Sequence, residues 1–109
     1  MAINKTLKLS QQAVVKFAAR FRLDESVPTN IANWTFAAVL TDGTTTIGVA
    51  GSAIDATTGK VTFTPTLTDL ATLTAGDLTG EILYKVDGAG DAFTAGELTA
   101  KLREGKPWT

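Results

Sequence analysis

The chain contains no cysteine and no histidine. The first absence excludes disulfides, thiolate metal sites and thiol nucleophiles. The second removes the commonest general base and the commonest transition-metal ligand. Charge is scarce and balanced, ten basic residues against eleven acidic, for a formal charge of −1. No run of Lys or Arg breaks that balance, so neither nucleic acid nor an anionic membrane is favoured as a partner. No apolar run approaches the roughly 18 residues needed to span a bilayer. The opening MAINKTLKLSQQ lacks the apolar core of a signal peptide. The plain expectation is a soluble protein that is not exported. At 109 residues the chain fits one domain, 1–109. Residues 1–10 are expected as an arm or edge strand and 105–109 as a C-terminal tail.

What the chain has in excess is Thr, crowded into its middle: Thr44, Thr45, Thr46, Thr57, Thr58, Thr62, Thr64, Thr66, Thr68, Thr72 and Thr74. β-branched Thr suits the solvent face of a strand. Period-2 patterns run alongside it. Val15, Phe17, Ala19, Phe21 and Leu23 alternate with Lys16, Ala18, Arg20 and Arg22, favouring strand over helix. Trp34, Phe36, Ala38 and Leu40 share a face, which makes Trp34 a core candidate. Asp42-Gly43 then gives a hairpin signal. Thr44 to Ala50 is the returning strand, with Gly48 and Gly51 marking a bulge or an edge.

After the turn at Ala56–Gly59, Val61 and Phe63 face one way and Thr62 and Thr64 the other, until Pro65 stops the ladder. The leucines at 67, 70 and 73 fit a short helical bridge. Ile82, Tyr84 and Val86 form the next inward set, Gly88–Asp91 a turn, and Leu98, Ala100 and Leu102 a last strand. Six or seven short strands with turns every 8–12 residues imply an all-β sandwich or barrel.

Several segments carry apparent chemistry. Gly88-Ala89-Gly90-Asp91-Ala92-Phe93-Thr94-Ala95-Gly96 resembles the GAGDxFxxG signature of ribokinase-like sugar kinases, in which the Asp is the catalytic base. By that resemblance Asp91 would be the base and 98–107 the helix behind it. The family's doubly wound core is about three times this length, and the motif reads as a decoy made of turn residues. Gly59-Lys60 lacks the earlier Gly and the following Ser or Thr of a P-loop, so Gly59 is read as a turn residue. Asp87, Asp91 and Glu97 offer hard oxygens for calcium but not EF-hand spacing. Asp24, Glu25, Asp55 and Asp69 form no pairing that sequence can defend. No catalytic, metal-binding or cofactor-binding residue is assigned, and no cofactor is expected. Trp108, beside Pro107, is the candidate for a subunit contact, since a terminal Trp makes a good hot spot.

Three segments carry a wider resemblance: VPTNIANWTFAAVL (27–40), IDATTGKVTFTPTLTDLATLTAGDLTGEILYKV (54–86) and GELTAKLRE (96–104). Together they resemble the immunoglobulin-like domain of tailed-phage baseplate upper proteins and of small stand-alone phage tail and neck proteins. Asn33 stands where that family usually has Gly, and Leu78 where it often has an aromatic. The resemblance implies an immunoglobulin-like antiparallel β-sandwich of about seven strands with no enzymatic activity. It implies a structural or docking role in the tail, baseplate, neck or fibre of a virion made in the host cytoplasm. Its partners would be other phage structural proteins and further copies of itself. The alternatives are a carbohydrate- or surface-binding β-sandwich module, which an exposed aromatic cluster would favour, and a sugar-kinase fragment.

Overall fold

In the computed structural model the described residues are 3–21, 31, 33–55, 58–86 and 90–106, the side chain of residue 54 excepted. They form strands β1 (Lys5–Ser10), β2 (Phe17–Arg20), β3 (Thr35–Thr41), β4 (Thr46–Asp55) and β5 (Lys60–Phe63), one helical turn α1 (Leu67–Leu70), and strands β6 (Gly76–Lys85) and β7 (Phe93–Arg103). The seven strands make one sheet in the order β1-β7-β6-β3-β4-β5-β2. It curls until it is nearly closed into a barrel.

The period-2 patterns translate into strands because alternate residues reach opposite faces of a pleated chain. On β3, Phe36, Ala38 and Leu40 are buried, while on β2 Phe17 and Ala19 are buried and Arg20 is exposed. Inside, Phe17 stacks on Phe63 with centroids 5.1 Å apart, and Phe21 packs on Phe36 at 4.7 Å. Full burial of each such ring is worth about 1.5–3 kcal/mol. Outside, the registers align Thr6, Thr99, Thr79, Thr41 and Thr46 in one row across five strands. The Oγ1 atoms of Thr6 and Thr99 are 3.3 Å apart.

Several expectations need correction. The sheet is not antiparallel throughout, because β1 runs parallel to β7, Lys5 pairing with Leu98 and Ser10 with Arg103. Residues 5–10 are therefore an edge strand rather than an arm. That pairing brings the Ile3 carbonyl so close to Gly96 that a Cβ there would collide with it. The strand expected over 44–50 runs on from Thr46 to Asp55. Gly51 marks no edge, since β4 lies between β3 and β5, and its irregularity falls between Ala53 and Asp55. The closing strand begins at Phe93, not Leu98. The expected loop at 24–30, Leu23, and Ala56-Thr57 of the turn lie outside the described residues.

Gly51 is where β4 changes neighbours: it pairs with Phe36 on β3 and with Phe63 on β5. A Cβ built on Gly51 would lie 2.7 Å from the Phe63 ring, 2.8 Å from Val61 Cγ1 and 2.9 Å from Phe36 Cβ. Two packed strands meet there with no room for a methyl group.

The far end is tied by side chains. Thr66 caps α1 by accepting the Asp69 N–H at 3.1 Å. The Gln11 amide donates to the carbonyls of Leu70 at 3.2 Å and Leu73 at 3.0 Å, satisfying groups that a helix end leaves open. Leu70 and Leu73 are buried and Leu67 partly so, as the leucine spacing implies. Asp42 opens the β3–β4 turn, where Gly43 has φ 97°. Its Oδ1 accepts from Thr44 and Thr45, both at 2.8 Å, and its Oδ2 from Thr74 at 2.7 Å. The backbone donors Thr45, Thr74 and Thr44 lower its pKa from 3.8 to about 2.

Two predictions follow from these contacts. Gly51→Ala should destabilise the chain by about 1–3 kcal/mol, as overpacking does. Gly48→Ala, on the outer face with nothing within 4 Å of the new methyl, should be neutral or gain up to about 1 kcal/mol; equal urea midpoints for the two variants would refute the packing argument. A carboxylate with a depressed folded pKa stabilises the fold above its unfolded pKa and loses that contribution as pH falls through the folded one. The Asp42 contribution is therefore present above about pH 3.8 and lost by about pH 2. The melting-temperature gap between wild type and Asp42→Asn should be widest near neutrality and close across that window. A gap independent of pH would show that the charge is not what matters.

Candidate aromatic docking site

The inner face of the sheet does not end cleanly at one mouth of the barrel. Trp34 precedes β3 by one residue, Tyr84 lies near the end of β6, and Phe93 opens β7, where it is the register partner of Tyr84. The three rings form a continuous stack. Trp34 and Tyr84 are 5.5 Å apart with planes at 16°, and Tyr84 and Phe93 are 5.5 Å apart at 30°. Behind them, Phe21 meets Tyr84 edge-on at 5.8 Å and Trp34 lies 6.4 Å from Phe36. The stack thus runs from the core into solvent, and Phe93 at its end is 52% exposed. Val86, two residues beyond Tyr84, is 46% exposed. On the outer face of the sheet, behind the stack, Thr35, Ala37, Leu83 and Lys85 line a shallow groove of about 230 Å³.

Local sequence explains why the stack leaves the core. A bulge between Ile82 and Leu83 shifts the β6–β7 register, so that Ile82 pairs with Gly96 but Leu83 with Thr94. The extra residue, Ala95, is buried, and Phe93 returns to the side of the sheet that carries Tyr84. Trp34 corrects the expectation of a core anchor: it is only partly buried and packs against the core from the mouth. Alternation assigned its face correctly but not its depth. Sequence reading missed Phe93 because it sits in the Gly- and Asp-rich stretch read as a turn.

The other candidate residues are not brought together. Asp91 is exposed, and the stretch behind it is β7 rather than a helix, so no helix N-terminal amides stand where a sugar-kinase motif needs them. Gly88, Ala89 and Asp87 lie outside the described residues, as do Asp24, Glu25 and Trp108. Glu97 is exposed on β7, and its N–H donates to Asn4 Oδ1 at 3.0 Å. Gly59 is a turn residue with φ 76°, set against the Phe21 carbonyl. Asp69 belongs to α1, and Asp55 accepts the Thr58 N–H at 3.3 Å. Among the described residues, no group of three or more acidic side chains is placed to hold a metal ion. Among the same residues no helix is long and apolar enough to cross a membrane.

Neither the protein-family models nor the curated proteins include a match to this chain.

Because it ends in solvent, Phe93 should contribute little to folding. Phe93→Ala should cost about 0.5–1.5 kcal/mol, the worth of an aromatic pair. Trp34→Ala should cost more than that but less than the roughly 3–5 kcal/mol of a fully buried Trp. Urea unfolding monitored by circular dichroism separates the two. A Phe93→Ala chain that failed to fold would place that ring in the core.

Proposed function

We propose that the chain is a non-enzymatic docking domain of the immunoglobulin-like sandwich class, carried as a structural component of a phage particle. The observation that carries the docking role is the Trp34–Tyr84–Phe93 stack, which packs against the core at one end and is half exposed at the other. A rigid aromatic patch with an apolar neighbour at Val86 is the kind of surface that anchors protein contacts. The virion setting rests on the resemblance of segments 27–40, 54–86 and 96–104. Two features support the sandwich. β4 gives its first half to β3 and its second half to β5, which is how one hydrogen-bonded sheet folds into two layers. Strands β2 and β5 would then lie across the core from β3, β6 and β7, and the ring of Phe21, just beyond β2, packs on Phe36 of β3.

The rival reading is sugar binding, which the exposed ring of Phe93 favours. A sugar needs an open aromatic face, however, and both faces of Tyr84 are taken by Trp34 and Phe93. An apolar protein surface suits the arrangement better than a pyranose ring does.

The test is direct. Particles of a phage encoding this chain, purified on a density gradient, should contain it at a fixed stoichiometry, and Phe93→Asp with Val86→Asp should fold yet fail to enter them. Recovery of the wild-type chain only in the soluble fraction would end the structural reading. Glycan-array binding lost in Phe93→Ala would transfer the site to the sugar-binding alternative.

A further inference from the structure

The barrel stops short of closing. Among the described residues, β1 and β2 are the two edges of the sheet, and each is paired on one side only. β1 and β7 run parallel, and every later neighbour in the order reverses direction, so the two edges run oppositely where they face one another. Ile3, Asn4 and Lys5 on one side, and Ala18, Ala19, Arg20 and Lys60 on the other, enclose a groove of about 530 Å³.

The phase of the ladders shows which backbone groups look into it. The Phe21 N–H donates to the Gly59 carbonyl at 2.8 Å. In an antiparallel pair alternate residues bond the partner, so residues 17, 19 and 21 serve β5. The N–H and C=O of Ala18 and Arg20 point to the free edge. At the two ends of β1, just outside it, the N–H groups of Ile3 and Gln11 donate to the carbonyls of Ala95 at 2.8 Å and Arg103 at 3.0 Å. Odd residues there serve β7, and the backbones of Asn4, Thr6 and Lys8 face away from it.

The charge on the groove is one-sided. Among the described residues, Lys5, Arg20 and Lys60 line it and no carboxylate does, although the chain as a whole is slightly acidic. Arg20 is the direct register partner of Lys60, a like-charge juxtaposition that costs stability in a sheet. Asp55, the neighbour of Lys60 on β4, lies outside the lining. The small side chains of Ala18 and Ala19 leave room over the edge.

We propose that this groove receives an extended acidic segment of a partner protein, which adds as a strand to the free edge of β2 and sets its carboxylates against Arg20, Lys60 and Lys5. Main-chain hydrogen bonds supply the affinity in such strand addition and side-chain contacts supply the selectivity. The site is separate from the aromatic stack and does not depend on the phage setting.

An alternating Glu-Val octapeptide is the probe, titrated into the isotopically labelled chain. Its amide shifts should concentrate at residues 3–5 and 18–20, with a Kd below about 1 mM. Arg20→Glu with Lys60→Glu should weaken it at least tenfold. Ala18→Pro removes an edge N–H that the β2–β5 ladder does not use, so it should abolish binding with little change in melting temperature. Should that variant fail to fold, the same octapeptide N-methylated on alternate residues provides the equivalent test with the protein intact, and it should not bind. Three results would overturn the proposal. One is equal binding by the N-methylated peptide. Another is inorganic phosphate shifting the same amides as tightly, which would reduce the site to a point-charge anion contact. The third is a peptide response centred on Tyr84 and Phe93.

Discussion

β4 meets β3 through residues 46–51 and β5 through residues 51–55, and Gly51 alone belongs to both registers. The continuity of the sheet from β1 round to β2 passes through that residue. Sheet curvature brings the inner-face side chains together, and at Gly51 this brings the Phe36 and Phe63 side chains within contact of the backbone itself. A side chain there would hold β3 and β5 apart. Phe17, which stacks on Phe63, and Phe21, which packs on Phe36, would lose the common space they share. The approach of the two edges, and with it the groove between β1 and β2, depends on the curl that this position permits.

Much of the local structure was legible because it is written in neighbouring residues. The alternation around Phe17, Phe36 and Phe63 gave the strands and their faces. Asp42-Gly43 gave the hairpin, and leucines 67, 70 and 73 gave the helical turn. What was not legible is set by residues far apart. The parallel pairing of β1 with β7 joins positions such as Thr6 and Thr99, 93 residues apart, and no periodicity in either segment encodes its partner. Gly96 looked like part of a phosphate-binding motif, yet it is a close approach to the Ile3 carbonyl. Its reason for being Gly lies at the other end of the chain.

The aromatic site shows the same division. Periodicity placed Trp34 on the inner face, correctly, but a face extends past the core to the mouth of the barrel, and burial there depends on what neighbouring strands supply. They supply Tyr84 and Phe93, the second brought round by a bulge. The outcome is a stack whose faces are largely occupied and whose last ring is open.

An open pair of edges carries a risk of uncontrolled strand pairing, which natural sheets limit with short edge strands and with charge. Both devices are present: β2 has four residues, and Lys5, Arg20 and Lys60 flank the gap. Protection alone, though, is served by any charge, and mixed signs would avoid setting Arg20 directly opposite Lys60. Cations of one sign instead discriminate. They repel a second copy of the same edge, which brings the same three charges, and they offer nothing to a neutral strand that must desolvate them. An acidic strand gains from all three. Specificity is a difference between the wanted partner and the unwanted one, and a charge pattern that disfavours pairing between two copies of this edge is also one that favours the acidic strand proposed for it.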